Sequence, residues 1–405
     1  MKPRILFVMH YLEIGGAETA LIGLLQALDY AKYDVDLFLY AHRGEMMQFI
    51  PKEVNLLPEI KGYKMLKEPI STCIKNGFIF LAFSRLLSKL IRKLYFYINR
   101  NLKDDDGYFC SYLTTPLLPK INSVVNYDLA FSFLTPHNIV LKKVNASKKI
   151  AWIHTDYSTL AVATRIVLPI WSKYDRIVSI SHDITRTFLQ VFPSLMDKII
   201  EMENILSPEF VGKRARELDV STEMPKSDKT INLLSVGRFC TAKNYDNVPD
   251  ICKRINSQFT IHNSQLRVKW YIVGFGGDEA LIRQKITETG MQDYVILLGK
   301  KDNPYPYIKA CDIYIQPSRY EGKSVTVREA QMLYKPVVVT NYPTAFSQIK
   351  DGVDGKIVPV DNEGCAKGMA EFIINTELQG QIAENLKSHD YGNEAEVSKI
   401  DLLFE

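Results

Sequence analysis

This sequence has no long apolar run. The longest, residues 78–83, falls far short of the roughly 20 residues a helix needs to cross a bilayer, so no membrane span is expected. Behind Met1-Lys2-Pro3-Arg4, the residues Ile5-Leu6-Phe7-Val8-Met9 have the pattern of a buried strand, much shorter than a signal-peptide core, and export is not expected. Cysteine is sparse and unpaired in pattern: Cys73, Cys110, Cys240, Cys252, Cys311 and Cys365 include no CxxC and no matching histidine spacing. That argues against a zinc site or a disulfide framework and suits a reducing cytosol. Low-complexity tracts and short-period repeats are missing too, which excludes solenoids and propellers.

What is present is the composition of a folded protein, with 46% hydrophobic and 24% charged residues. A chain of 405 residues exceeds one ordinary core and fits two domains of roughly 200 residues. Short β-branched runs alternate with helix-period segments, the pattern of parallel sheets covered by helices, so the fold class is α/β. Strands are expected at residues 4–9, 35–39, 54–57, 129–133, 150–153 and 176–180, and again at 231–236, 268–273, 295–298, 313–315, 337–340 and 356–358. Two similar doubly wound units follow. Residues 208–229, rich in Pro, Gly, Ser and charge, read as an exposed connection, with a hinge near Ser207.

Charge is uneven: residues 1–205 hold 25 Lys and Arg against 19 Asp and Glu, the remainder 25 against 27. Within the first half, residues 61–103 carry ten cations against the single acid Glu68. From 84 to 100, cations at Arg85, Lys89, Arg92, Lys93 and Arg100 alternate with apolar residues at amphipathic helix spacing. Such a helix either lies on an anionic membrane surface or is an ordinary surface helix packed on the first sheet.

Three strand-to-helix turns carry the chemistry. Gly15-Gly16-Ala17-Glu18 follows the first strand; without Cβ atoms the backbone approaches a ligand closely, and helix N–H groups attract phosphate, although a ligand-free tight turn has the same sequence. The dinucleotide glycine fingerprint is not complete there. Val236-Gly237-Arg238-Phe239 and Lys243 leave the carboxyl end of another strand, where two cations can meet one diphosphate or simply be solvated. In Glu321-Gly322-Lys323-Ser324-Val325-Thr326-Val327-Arg328-Glu329, a helix starting near Ser324 turns its first N–H groups toward the space of Glu321, with Glu329 about one turn further in. Carboxylates there suit sugar hydroxyls, or else are a cap and a surface charge.

The set GGAE, VGRF with Lys243, Val273-Gly274-Phe275-Gly276 and EGKSVTVRE resembles family 4 of the retaining glycosyltransferases, in order and approximate spacing from Ile5 to about Ile374. The resemblance implies the GT-B fold, two Rossmann-like doubly wound domains facing each other across a cleft. It implies an acceptor-binding domain over 1–207, a nucleotide-sugar-binding domain over 208–385 and a C-terminal tail, 386–405, returning toward the first domain. By position, Gly15 and Gly16 touch the donor, Arg238 and Lys243 neutralise its diphosphate, and Ser324 and Val325 N–H groups meet the distal phosphate. Glu321 holds the transferred sugar and Glu329 the ribose. The segment 299–305 is similar to the family's base-binding loop, whose backbone contacts identify the base poorly. His154, after the strand at 150–153, stands where the family places a histidine facing the anomeric carbon, though a lone histidine is more often structural. Lys323 departs from the usual Gly-Phe-Gly/Pro run and adds a cation toward an acidic acceptor or solvent.

The resemblance further implies retention without a cofactor or metal. Asp34-Val35-Asp36 and Asp104-Asp105-Asp106 match the Asp-x-Asp pattern, but the first lies at a strand start and the second caps the basic segment. The expected partners are a nucleotide-diphosphate sugar, a UDP-sugar carrying a hexose or N-acetylhexosamine, a lipid-linked or oligosaccharide acceptor, and an anionic membrane surface at the inner face of the cell membrane. No nucleic acid is expected, since no reading motif accompanies the basic segment. The alternatives are an epimerase-like or non-catalytic nucleotide-sugar binder on the same fold and, ranked below it, a nucleic-acid-binding protein using the basic segment 61–103.

Overall fold

The computed structural model describes residues 2–13, 15–102, 107–157, 160–261, 265–322 and 324–405. The chain divides into two units: residues 1–205 with 393–405, and residues 206–392.

The first unit is built on seven strands: β1 (Arg4–Met9), β2 (Asp34–Leu39), β3 (Asn55–Leu56), β4 (Tyr127–Ser132), β5 (Ala146–Ile153), β6 (Arg176–Ser179) and β7 (Ile199–Glu201). All pair in parallel, in the order β3-β2-β1-β4-β5-β6-β7. β7, polar at its end and only half-buried, escapes the hydrophobic pattern. In a pleated strand alternate side chains leave opposite faces. Accordingly Ile5, Phe7 and Met9 join one buried cluster, while Leu6 and Val8 join the other. Burial on both faces explains the nearly unbroken apolar run that β1 shows in the sequence.

The second unit repeats the plan with β8 (Thr230–Val236), β9 (Arg267–Val273), β10 (Val295–Gly299), β11 (Ile313–Gln316), β12 (Val337–Thr340) and β13 (Lys356–Val358), in the parallel order β10-β9-β8-β11-β12-β13. Trp270 and Ile272 enter one core and Tyr271 and Val273 the other. In each sheet the order reverses beside its first strand, at β1/β4 and at β8/β11. Loops leaving the carboxyl ends of those neighbours diverge there and open a crevice.

Two segments depart from the sequence reading. Residues 208–229 are an exposed connection only in part: most of 216–229 is exposed, but Pro208–Arg214 is a helix capped by the Ser207 hydroxyl, and Val211, Ala215, Val220 and Met224 are buried in the second unit's core. Their apolar spacing is hidden among Pro, Gly and charged residues. At the other end, the helix Thr376–Ser388 runs past residue 385 before the chain returns to the first unit. There Ile400 and Leu403 are buried, Phe404 stacks on Tyr33 at 5.8 Å, and Asp401 accepts hydrogen bonds from Lys32 and Tyr33.

Candidate active site

In the second unit the crevice at β8/β11 gathers residues from both loops. Lys243, on a short 3-10 turn after β8, donates from Nζ to Glu321 Oε1 at 2.5 Å. The same oxygen accepts from Ser318 Oγ at 2.6 Å and Gln316 Nε2 at 2.8 Å. Gln316 is in turn held by the Tyr314 hydroxyl at 2.8 Å, so the carboxylate is aimed by a hydrogen-bonded stack rising from β11. Thr344 Oγ1 fixes the Glu321 backbone carbonyl from the β12 side. Arg319 clamps the two loops together, with paired bonds to Asp246 at 2.9 and 2.8 Å and a bond to the Thr241 carbonyl. Arg238 lies on the rim, exposed, with no hydrogen bond or ion pair among the described residues. A cation held in reserve and a cation already paired to a carboxylate thus flank one site.

Glycine is required beneath them. Gly274 and Gly276 both have φ near +157°, and a Cβ on either would strike the backbone of Gly237 or Phe239. The two loops consequently extend the β8/β9 pairing beyond the strands, with Phe239 N donating to the Phe275 carbonyl at 2.8 Å.

Glu329 lies behind this layer on the helix Val325–Met332, only 4% exposed. Burial raises its carboxyl from 4.5 to about 7, against the opposing hydrogen bond from the Tyr305 hydroxyl at 2.8 Å. A buried carboxyl with one donor retains capacity for further donors. Tyr305 ends the 299–305 segment, which Asn303 braces by bonding the Arg214 carbonyl at 2.8 Å. Ser324 is the N-cap of this helix, but its N–H already donates to Gln348 Oε1 at 3.2 Å, and Gln348 Nε2 returns to the Ser324 carbonyl at 2.5 Å. The side-chain amide of Gln348 thus holds the helix entrance by both backbone groups of one residue. Val325 is half-buried beside it.

In the first unit, Gly15 caps the helix Gly16–Ala27, and a Cβ there would displace the Glu18 carboxylate, which folds back over the turn. A Cβ on Gly16 would meet open space. His154 follows β5 between the rings of Phe133, at 4.7 Å, and Trp152. Burial lowers it to about 3, although the Phe133 backbone carbonyl accepts from it. Its Nε2 is buried without a partner. Two further histidines share these traits: His10 after β1 and His137 after β4 are each lowered to about 3, burial being the largest cause, and each has an unpartnered Nε2. Three neutral imidazoles therefore line the carboxyl edge of three adjacent strands.

Residues 219–389 match the sequence model of the family Glycosyl transferases group 1. Over those residues the chain is similar to the group 1 glycosyltransferases. An enzyme of Campylobacter jejuni, the N-acetylgalactosamine-N,N'-diacetylbacillosaminyl-diphospho-undecaprenol 4-alpha-N-acetylgalactosaminyltransferase, is 24% identical over 370 residues, covering 90% of this chain and 88% of its own. The amylovoran biosynthesis glycosyltransferase AmsD of Erwinia amylovora is 26% identical over 175 residues, 42% of this chain and 47% of its own. Among solved structures, Anabaena HepE in complex with UDP-glucose superposes with a TM-score of 0.67 at 15% identity, over 98% of this chain and 97% of that one. TarM of S. aureus gives 0.68 at 13%, over 100% of both chains. These likenesses establish the GT-B fold class.

Elsewhere in the chain the site assignments separate. Lys323 and Asp104–Asp106 lie outside the described residues. Asp36 is buried and accepts bonds from Tyr127 and Asn55, which makes it a structural carboxylate. Arg85 does not face an acceptor or a membrane: its Nη1 donates to the Met65 and Glu68 carbonyls, each at 2.7 Å, and pins its helix to the preceding loop. Spacing alone groups Arg85 with Lys89, Arg92 and Lys93, which are exposed; only the fold shows which cation turns inward. Gln348, Gln316 and Arg319 were missed because neutral amides and loop arginines carry no spacing signal.

Proposed function

We propose that this glycosyltransferase moves a hexose or N-acetylhexosamine from a UDP-sugar to a lipid-linked glycan, with retention and without a metal, in surface-polysaccharide synthesis. The observation that carries the reading is the Lys243–Glu321 pair at the β8/β11 crevice, with exposed Arg238 beside it and buried Glu329 behind. Diphosphate exchanges for the carboxylate as the partner of Lys243, and Arg238 adds a second cation. Glu321, still held by Ser318 and Gln316, then accepts from hydroxyls of the transferred sugar. Glu329 accepts from the ribose. Fixed cations stabilise the charge that develops as the bond from the anomeric carbon to the phosphate oxygen breaks. The acceptor oxygen bonds to the same face of that carbon, and its proton passes to the departing phosphate. His154 offers a neutral Nε2 to a sugar hydroxyl.

The C. jejuni relative's name specifies a diphospho-undecaprenol acceptor, and HepE was solved with UDP-glucose; both support the choice of substrates. The test is transfer from a panel of UDP- and GDP-sugars to a short-chain polyprenyl-diphosphate-linked sugar, with the anomeric configuration of the product read by NMR. UDP release with an α-linked product in EDTA is expected. Inversion, dependence on added metal, or activity with GDP-sugars alone overturns the corresponding part.

A further inference from the structure

The helix Ile79–Ile98 is oriented the wrong way round for a helix that serves only its own fold. Its residues Ile79, Phe83, Leu86, Leu90, Leu94 and Tyr97 recur every three or four positions and form one stripe. All six are more than half exposed, and Phe80 and Ile98 beside them reach 79% and 70%. The side turned to the protein carries fewer large apolar groups: Leu81 and Ala82 join a small cluster with Met65 and Cys73, Ser88 is buried, and Arg85 reaches inward to the loop below. An ordinary surface helix packs its apolar stripe and wets its polar face. This one packs only a narrower face and leaves an apolar stripe about 30 Å long exposed.

Charge identifies what covers it. The helix has no acidic residue, and Lys89 and Lys93 stand exposed along one side of the stripe, with Arg100 just beyond its end. Arg100 lies over the ring of Tyr97, in the stripe, at 5.6 Å, so this cation stays close to the apolar band. A second copy of the chain would set the same cations against one another with no acid on either helix to answer them. A bilayer surface bearing anionic headgroups satisfies both features, taking the stripe among its acyl chains and the cations at its phosphates. Among the described residues no helix is long and apolar enough to cross a membrane, so the arrangement is in-plane.

We propose that the helix Ile79–Ile98 lies in the surface of an anionic membrane with the stripe from Ile79 to Tyr97 inserted, holding the first unit at the bilayer. The inference deepens the lipid-linked acceptor reading and rests on it for its purpose, but its evidence is independent.

Flotation of the full chain with vesicles of phosphatidylcholine, and of phosphatidylcholine with phosphatidylglycerol, tests it. The parent should float with the anionic vesicles at low salt. A Phe83→Ser, Leu90→Ser, Leu94→Ser variant should bind them at least tenfold more weakly, while nucleotide still raises its Tm as in the parent. A Lys89→Glu, Lys93→Glu variant should lose the preference for phosphatidylglycerol. A parent that fails to float, or a serine variant that floats equally well, overturns the proposal. So does concentration-dependent dimerisation that the serine variant abolishes without any flotation of the parent. Transfer activity separates the two readings: flotation without transfer to the lipid-linked sugar counts against the acceptor, and transfer without flotation counts against the anchor.

Discussion

Replacing Glu329 with glutamine removes a buried ionisable group while keeping an acceptor for the Tyr305 hydroxyl, and its effect on stability has a calculable pH dependence. The carboxyl titrates near 4.5 when unfolded and at about 7 when folded, because burial disfavours its charge. A folded value raised in this way leaves no penalty below pH 4.5, where both states are protonated. Stability is lost as pH rises through the window to about 7 and then levels off. At about 1.36 kcal/mol per pH unit, the parent carries a penalty of about 1.4 kcal/mol at pH 5.5 and about 3.4 kcal/mol at pH 8. Glu329→Gln carries neither, so its stability relative to the parent should improve by about 2 kcal/mol between those pH values, other titrations cancelling in the comparison. Urea unfolding in a Trp152→Phe, Trp171→Phe background leaves Trp270, buried in β9, to report the second unit alone. A difference between parent and variant that does not change with pH would refute both the burial and the raised carboxyl. The gain in stability should accompany a loss of nucleotide affinity if Glu329 accepts from the ribose.

Three further outcomes are expected. Arg238→Ala should lower kcat/KM by about 2 to 4 kcal/mol in barrier with an unchanged Tm, since the side chain is exposed and unpaired among the described residues; near-normal turnover would remove it from the site. Gln348→Ala should raise the donor KM about tenfold with a modest fall in Tm, through loss of the paired bonds that hold Ser324; an unchanged KM would leave Gln348 a purely structural contact. Acid should unfold the first unit before the second. His10, His137 and His154 are depressed to about 3, so their contribution is complete above pH 6.5 and is lost as pH falls below it. By pH 5 this is about 2 kcal/mol each, and coincident acid transitions at Trp270 and at Trp152 with Trp171 would contradict it.

Strands were legible wherever both faces are buried, because β1, β8, β9 and β12 then carry runs of adjacent apolar residues. β7 was not, since its half-buried residues lack that pattern. The segment 208–229 was read as exposed throughout for a related reason: turn-forming residues mask the four buried apolar positions, Val211, Ala215, Val220 and Met224, that tie it to the core. At the candidate site, glycines and charges announced themselves because each does something other residue types cannot. Supporting amides did not, since glutamine carries the same meaning in the sequence whether it is solvated or clamps a backbone.

The sequence by itself determined the two doubly wound units, the turns that bear Gly15, Arg238, Lys243, Glu321 and Glu329, and the amphipathic character of residues 84–100, because periodicity, backbone freedom and charge are local properties. Tertiary structure alone decided that Lys243 meets Glu321, that Gln348 occupies the Ser324 N–H, that Glu329 is buried enough to titrate near neutrality, and that Arg85 turns inward. It also decided which face of the basic helix looks outward. An amphipathic pattern states that a helix has two faces; only the elements packed against it determine which of them is left for a partner.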